Sequence, residues 1–233
     1  MSIVLFALLA CTLMAAGCDD DPSGPAGPRG IEGVVQDESG NPVADAAVGL
    51  VYACGDCEEG VADDSGAKPT TMIGFSMPEA GHVTVVMLDR MGVLIQTIAD
   101  GDRPAGMHAI ACRFEDDDGN PVPSGTYRFV VRIDGEITRT LDLFHNLNQP
   151  AEILAAPHAV TDERGFFRIQ RGLVAVGDVY VSTWDGGTLL DCSVSDTFEV
   201  LAVIDEGGML RSGRTSATLP LTAHGVEVNI TLP

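Results

Sequence analysis

From residue 30 onward, apolar residues recur at alternate positions in short runs broken by glycine, proline and aspartate. Tyr127, Phe129, Val131 and Ile133 share one parity, with Arg128 and Arg132 on the other. Val226, Val228, Ile230 and Leu232 alternate in the same way with Glu227, Asn229 and Thr231, as do Val48, Leu50 and Tyr52 with their neighbours. A period of two puts every second side chain on one sheet face, so each run predicts a half-buried β-strand. Further strand-like runs stand at "DVYVSTW" and "FEVLAVID". No sustained period of 3.6 appears after residue 20, so no long helix is expected. Turn chemistry separates the runs: in Asp37-Glu38-Ser39-Gly40-Asn41-Pro42, glycine can take a positive φ and proline closes the turn without needing a donor. The pattern as a whole predicts an all-β chain.

Composition changes this picture little. The 45% hydrophobic content can fill ordinary cores, and the 5% aromatic content predicts cores of Val, Leu, Ile and Met. Charge is more informative: 13 basic residues stand against 34 acidic ones, a net charge of −21. Such a surface repels a phosphate backbone, so nucleic acid is excluded as an expected partner. Acidity of this kind serves solubility first.

The start of the chain differs from the rest. Ile3 to Gly17 is an uncharged apolar run, shorter than the roughly 20 residues of a membrane span and suited to a signal-peptide core. It ends in Ala15-Ala16-Gly17-Cys18, which resembles the lipobox of bacterial lipoproteins. The resemblance implies a signal peptide at 1–17, cleavage before Cys18 and lipid attachment there. No Lys or Arg precedes Cys18, whereas export signals usually open on a positive charge, so a true start a little upstream or an ordinary membrane helix stays the alternative. Acyl chains contribute about 0.8 kcal/mol per buried CH₂, enough for firm anchoring when two or more are present. Residues 18–30, rich in Pro and Gly, are then expected to form a tether.

Two phrases far apart belong to one pattern. Gly33 to Val48 fits G-x-V-x-D-x-x-G-x-P-V-x-x-A-x-V, and Thr161, Asp162, Gly165, Phe167 and Ile169 fit T-D-x-x-G-x-F-x-I. Both resemble the carboxypeptidase regulatory-like domain, a transthyretin-like β-sandwich. Between them, the marks Phe75-Ser76-Met77-Pro78-Glu79-Ala80-Gly81, Asp89, Gly92, Ala105-Gly106, Asp118-Gly119 and Ser124-Gly125 before Tyr127 resemble the Ig-like domain of flagellar hook-capping proteins. The resemblances imply a sandwich split into 31–69 and 147–233, interrupted in a surface loop after its second strand by an Ig-like sandwich at 70–146. Cys112 stands where that Ig-like family usually has Trp, and it shares a strand parity with Ile110 and Phe114.

Candidate chemistry is sparse. Cys54-Gly55-Asp56-Cys57 reads as a local disulfide in an oxidising compartment, with half a zinc site and a redox pair as alternatives. The acidic stretch Glu115 to Asn120 reads as a hairpin turn in preference to a calcium loop, since no bidentate Glu follows at the required distance. His224 and Glu227 match H-x-x-E, but on a strand they point to opposite faces. Neither G-x-S-x-G, H-E-x-x-H nor a Gly-rich phosphate loop occurs. The expectation is a non-enzymatic cell-envelope protein with no cofactor and no metal, anchored by lipid at the outer membrane, the cell surface or the periplasmic face. Its β-modules would bind a protein or glycan ligand or act as a scaffold. An envelope assembly factor, or a small metal or redox protein using the CxxC, is the alternative.

Overall fold

The computed structural model describes the backbone of residues 29–54, 71–182 and 189–233. The strands, in chain order, are β1 (Gly30–Asp37), β2 (Ala47–Cys54), β3 (Thr71–Met77), β4 (Gly81–Leu88), β5 (Leu94–Arg103), β6 (Gly106–Cys112), β7 (Gly125–Ile133) and β8 (Glu136–His145). A short helix α1 (Pro150–Ala155) follows, then β9 (Ala159–Val160), β10 (Phe166–Gln170), β11 (Gly177–Ser182), β12 (Leu189–Asp205), β13 (Leu210–Thr218), β14 (Gly225–Glu227) and β15 (Ile230–Leu232). The chain is an all-β sandwich protein.

Two sheets enclose the first core. In one, β1 pairs antiparallel with β10 and parallel with β14 and β15. The other runs β11-β12-β2-β9, with β13 on a later stretch of β12. Their facing sides bury Ile31, Leu50, Tyr52, Phe167, Phe198 and Ile230. Each large apolar side chain so buried contributes roughly 1.5–3 kcal/mol. The second core lies between the sheet β5-β4-β7-β8 and the ribbon β3–β6, and it buries Met77, Val85, Cys112, Phe129, Val131 and Leu143. Strands from 30–54 and 159–232 thus build the first pair of sheets, and strands from 71–145 build the second.

The two separated phrases of the sequence meet in the first sandwich. Thr161 Oγ1 accepts the Ala46 N–H (2.9 Å) and donates to the Val43 carbonyl (2.8 Å). The Val35 N–H donates to the Gly165 carbonyl at 2.8 Å. Burial makes these bonds matter: an unpaired donor or acceptor there would cost about 1–3 kcal/mol.

The alternation from Val226 to Leu232 predicts one strand, but the structure divides it into β14 and β15. Pairing with β1 lapses at Gly33 and Val34, because the Val228 carbonyl lies directly over Gly33. The Val228 N–H bonds instead to the Glu32 carbonyl (2.8 Å), and Asn229 Oδ1 accepts the Val34 N–H (3.3 Å). An ideal Cβ on Gly33 would stand 1.6 Å from the Val228 oxygen. Only glycine fits.

Helix α1 escaped the periodicity because it has six residues. Its sequence signal is local: Pro150 opens it, and Glu152 Oε2 accepts the N–H groups of Asn148 (3.1 Å) and Gln149 (3.0 Å). Ile153 is fully buried over Gly49, where a Cβ would come within 2.4 Å of its Cδ1, and it packs with Leu201 and Val203. The helix therefore covers the outer side of the sheet that holds β2 and β12.

Gly33→Ala is expected to destabilise the protein by about 3 kcal/mol or more through the clash with Val228. Gly40→Ala, at φ +81° with nothing within 4 Å of a Cβ, should cost only about 1–2 kcal/mol from backbone strain. Denaturant unfolding of the two variants beside the parent checks the contrast.

Candidate functional site

The sequence-derived site residues fall in different places. Cys18 and Cys57 lie outside the described residues. Cys54 ends β2 with its backbone opposite Val194, and its side chain is outside the described set. Cys112 is 1% exposed in the core of the second sandwich, where burial pushes its thiol up to about 12. The His224 carbonyl accepts the Gly30 N–H (2.9 Å), so its backbone serves the sheet.

The acidic stretch 115–120 is a turn. Asp116 Oδ1 accepts the N–H groups of Asp118 (3.0 Å) and Asn120 (2.8 Å), and Oδ2 accepts the Asn120 side-chain amide (3.0 Å). Those bonds hold its pKa below the usual carboxylate value, the Asn120 side chain first. Asp37, Asp89 and Asp162 build the same device, each binding the N–H groups two and four residues on, with a positive-φ glycine three residues on. Four turns of one design thus use their carboxylates internally. Among the described residues, no group of three or more His, Cys, Asp or Glu is arranged to hold a metal ion.

The densest polar arrangement lies where the two sandwiches meet. Asn146, just beyond β8, pairs its amide with the backbone of Tyr52 on β2 in both directions. Its Oδ1 accepts the Tyr52 N–H (3.1 Å), and its Nδ2 donates to the Tyr52 carbonyl (3.1 Å). Two residues back along β2, the Leu50 N–H donates to His158 Nδ1 (3.3 Å). The other ring nitrogen then carries the proton and donates to the Ser124 carbonyl (2.7 Å). Ser124 Oγ in turn accepts the Leu147 N–H at 2.8 Å. Arg90, in the turn after β4, donates to the Val174 carbonyl (2.9 Å), and the Ala175 N–H donates to Tyr52 Oη (2.9 Å). Rings of Tyr52 and Phe144 meet edge to face at 5.4 Å. The bonds themselves carried no sequence signal, because each joins residues some 23 to 123 positions apart.

Two histidines stand here, His145 buried and His158 half-buried. His158 is held down to about 4 by burial, against the opposing bond to Ser124. His145, at the end of β8, stacks on Phe114 (4.4 Å, 9°), and burial lowers it to about 4 as well. The other end of the second sandwich is acidic and exposed. There His82 on β4 lies 2.6 Å from Asp100 and 3.1 Å from Asp102, and its N–H donates to Asp134 Oδ1 (2.8 Å). The hydrogen bonds it donates to Asp102 and then Asp100 raise its pKa above 6.5.

Residues 63–136 match the family model of the FlgD Ig-like domain. The match ends where β8 begins, although β8 completes the sheet that β7 belongs to. No curated protein matches the chain.

Asn146→Ala should cost about 1–3 kcal/mol, since it leaves two backbone groups of Tyr52 without their partner. Asn146→Asp should cost more, because a carboxylate oxygen would face the Tyr52 carbonyl. Chemical denaturation at neutral pH ranks the two. For His82, an NMR titration should show a midpoint above 6.5 that falls in Asp102→Asn. With the folded value raised, these pairs stabilise the fold below 6.5, and the contribution is lost as pH rises through the raised value.

Proposed function

We propose that the chain is a non-enzymatic, lipid-anchored cell-envelope protein whose β-sandwiches form a rigid scaffold for binding or assembly. The observation that carries this reading is the match of residues 63–136 to the FlgD Ig-like domain, in a sandwich bonded to its neighbour through β2. An Ig-like module held in one orientation transmits position, as a spacer or platform requires. The lipobox-like Ala15-Ala16-Gly17-Cys18 supports anchoring at Cys18, with residues up to 30 as tether and the body standing clear of the bilayer. In this reading the first sandwich is a carboxypeptidase regulatory-like domain split around the Ig-like one, and Cys54 and Cys57 form a local disulfide. The partner is a protein or a glycan. A net charge of −21 disfavours nucleic acid and anionic lipid surfaces, so attachment rests on the acyl chains.

Metabolic labelling with an alkyne fatty acid should tag the parent and leave Cys18→Ser unlabelled, with the variant moving from the membrane fraction to the soluble one. Protease shaving of intact cells then decides between the outer surface and the periplasmic face. An unlabelled parent that stays in the membrane fraction would overturn the anchor and leave the apolar segment as a membrane helix.

A further inference from the structure

The junction histidines do more than fill space. His145 sits opposite Gly125 across β7 and β8, and His158 bonds the carbonyl of the adjacent Ser124, so the two histidines flank one turn. His145 Nε2 is buried without a hydrogen-bond partner. His158 uses both nitrogens, one toward each sandwich: Nδ1 accepts from Leu50, and Nε2 donates to Ser124. Its own backbone N–H also donates to the Val48 carbonyl (2.9 Å), which ties the ring to the edge of β2.

We propose that His158 is an acid-released lock between the two sandwiches. With Nδ1 bare, the ring bridges them. A proton added to Nδ1 converts the acceptor that Leu50 requires into a second donor, and N–H then faces N–H. The bridge is lost and a charge is left in a half-buried site, so the junction between the sandwiches is weakened.

The surroundings do not compensate such a charge. Strand β2 carries no charged residue, and neither does β9. Glu152 on α1 is engaged with the N–H groups of Asn148 and Gln149, and Arg128 on β7 pairs with Asp142 on β8. Arg90 is committed to the Val174 carbonyl; Arg113 and Glu115 flank Phe114 under His145, and Asp162 binds its own turn. Arg132 and Arg139 complete the charged residues of β7 and β8 other than Glu136 at its start. Burial is the first cause of the depressed affinity for a proton at both histidines.

The sign follows from linkage. A histidine depressed from 6.5 to about 4 keeps the closed form intact above 6.5 and weakens it as pH falls from there toward 4. If His158 regains its ordinary value when the junction opens, the open form gains about thirty-fold at pH 5 relative to neutral pH.

Hydrogen exchange of the full-length chain, read by mass spectrometry and corrected for intrinsic rates, tests this. Protection at Leu50, Tyr52 and Leu147 should fall about thirty-fold between pH 7.5 and 5, and should lie below that of the central strands β4 and β12 throughout. In His158→Gln, whose amide can accept and donate without titrating, that pH-dependent loss should be largely absent. Junction protection that ignores pH, that equals central-strand protection at every pH, or that falls equally in His158→Gln would overturn the proposal. Should the variant not fold, the NMR titration of His158 in the parent decides. A midpoint below 5 supports the lock, and one near 6.5 overturns it.

Discussion

The free edge of β2 is the constraint on which the arrangement of this molecule depends. β2 has a long partner only on one side, where it pairs with β12 from Ala47 to Tyr52 and again at Cys54. On the other side, backbone groups buried between two sandwiches need partners, because leaving one unmet costs about as much as a whole point mutation. The structure meets the need with three different devices in a row. β9 pairs with Ala47 and Val48, the His158 ring takes Leu50, and the Asn146 amide takes Tyr52. All three come from the segment that follows β8. The chain returning from the second sandwich is thus also what completes the first.

A second economy runs through both sandwiches. Asp-x-x-Gly turns recur at Asp37, Asp89, Asp116 and Asp162, and in each one carboxylate oxygen accepts from N–H groups of its own loop. The glycine in each has φ between +72° and +85°, a region where a Cβ would be strained. Such a turn is closed by local bonds that need no long-range pairing. That explains why acidic loops of this spacing specify hairpins here.

Much of the fold was legible because strands and turns write local patterns. Alternation at Tyr127, Phe129 and Val131 marked a buried face, and all three are buried. The phrase around Thr161 and Gly165 carried its bonding in its residue types: hydroxyl, carboxylate, glycine, then two core side chains. Alternation failed at Val228 because a carbonyl crossing over Gly33 leaves no trace in side-chain periodicity. It failed at α1 because six residues are fewer than two turns of helix. The junction was illegible for a different reason. Asn146, His158 and Ser124 are ordinary polar residues whose roles depend on which backbone groups the tertiary fold leaves unpaired, and nothing in their neighbourhoods along the chain announces that.

These features argue against regarding residues 71–145 as a passenger. An insertion can be accommodated simply because its ends lie close together, at small entropic cost. Here the dependence runs both ways. The Tyr52 ring belongs to the first core, yet it also rests on Phe144 from β8, and its hydroxyl holds the Ala175 backbone. The backbone of β11, at the edge of its own sheet, runs beside β8, at the edge of another, so each shields the other from open pairing. Removing the second sandwich would therefore take Phe144 from the Tyr52 ring, the Ser124 carbonyl from His158 and β8 from the β11 edge at once. A connection that couples two cores through shared rings and shared edges behaves as one body, and a body of that kind transmits position from one end to the other.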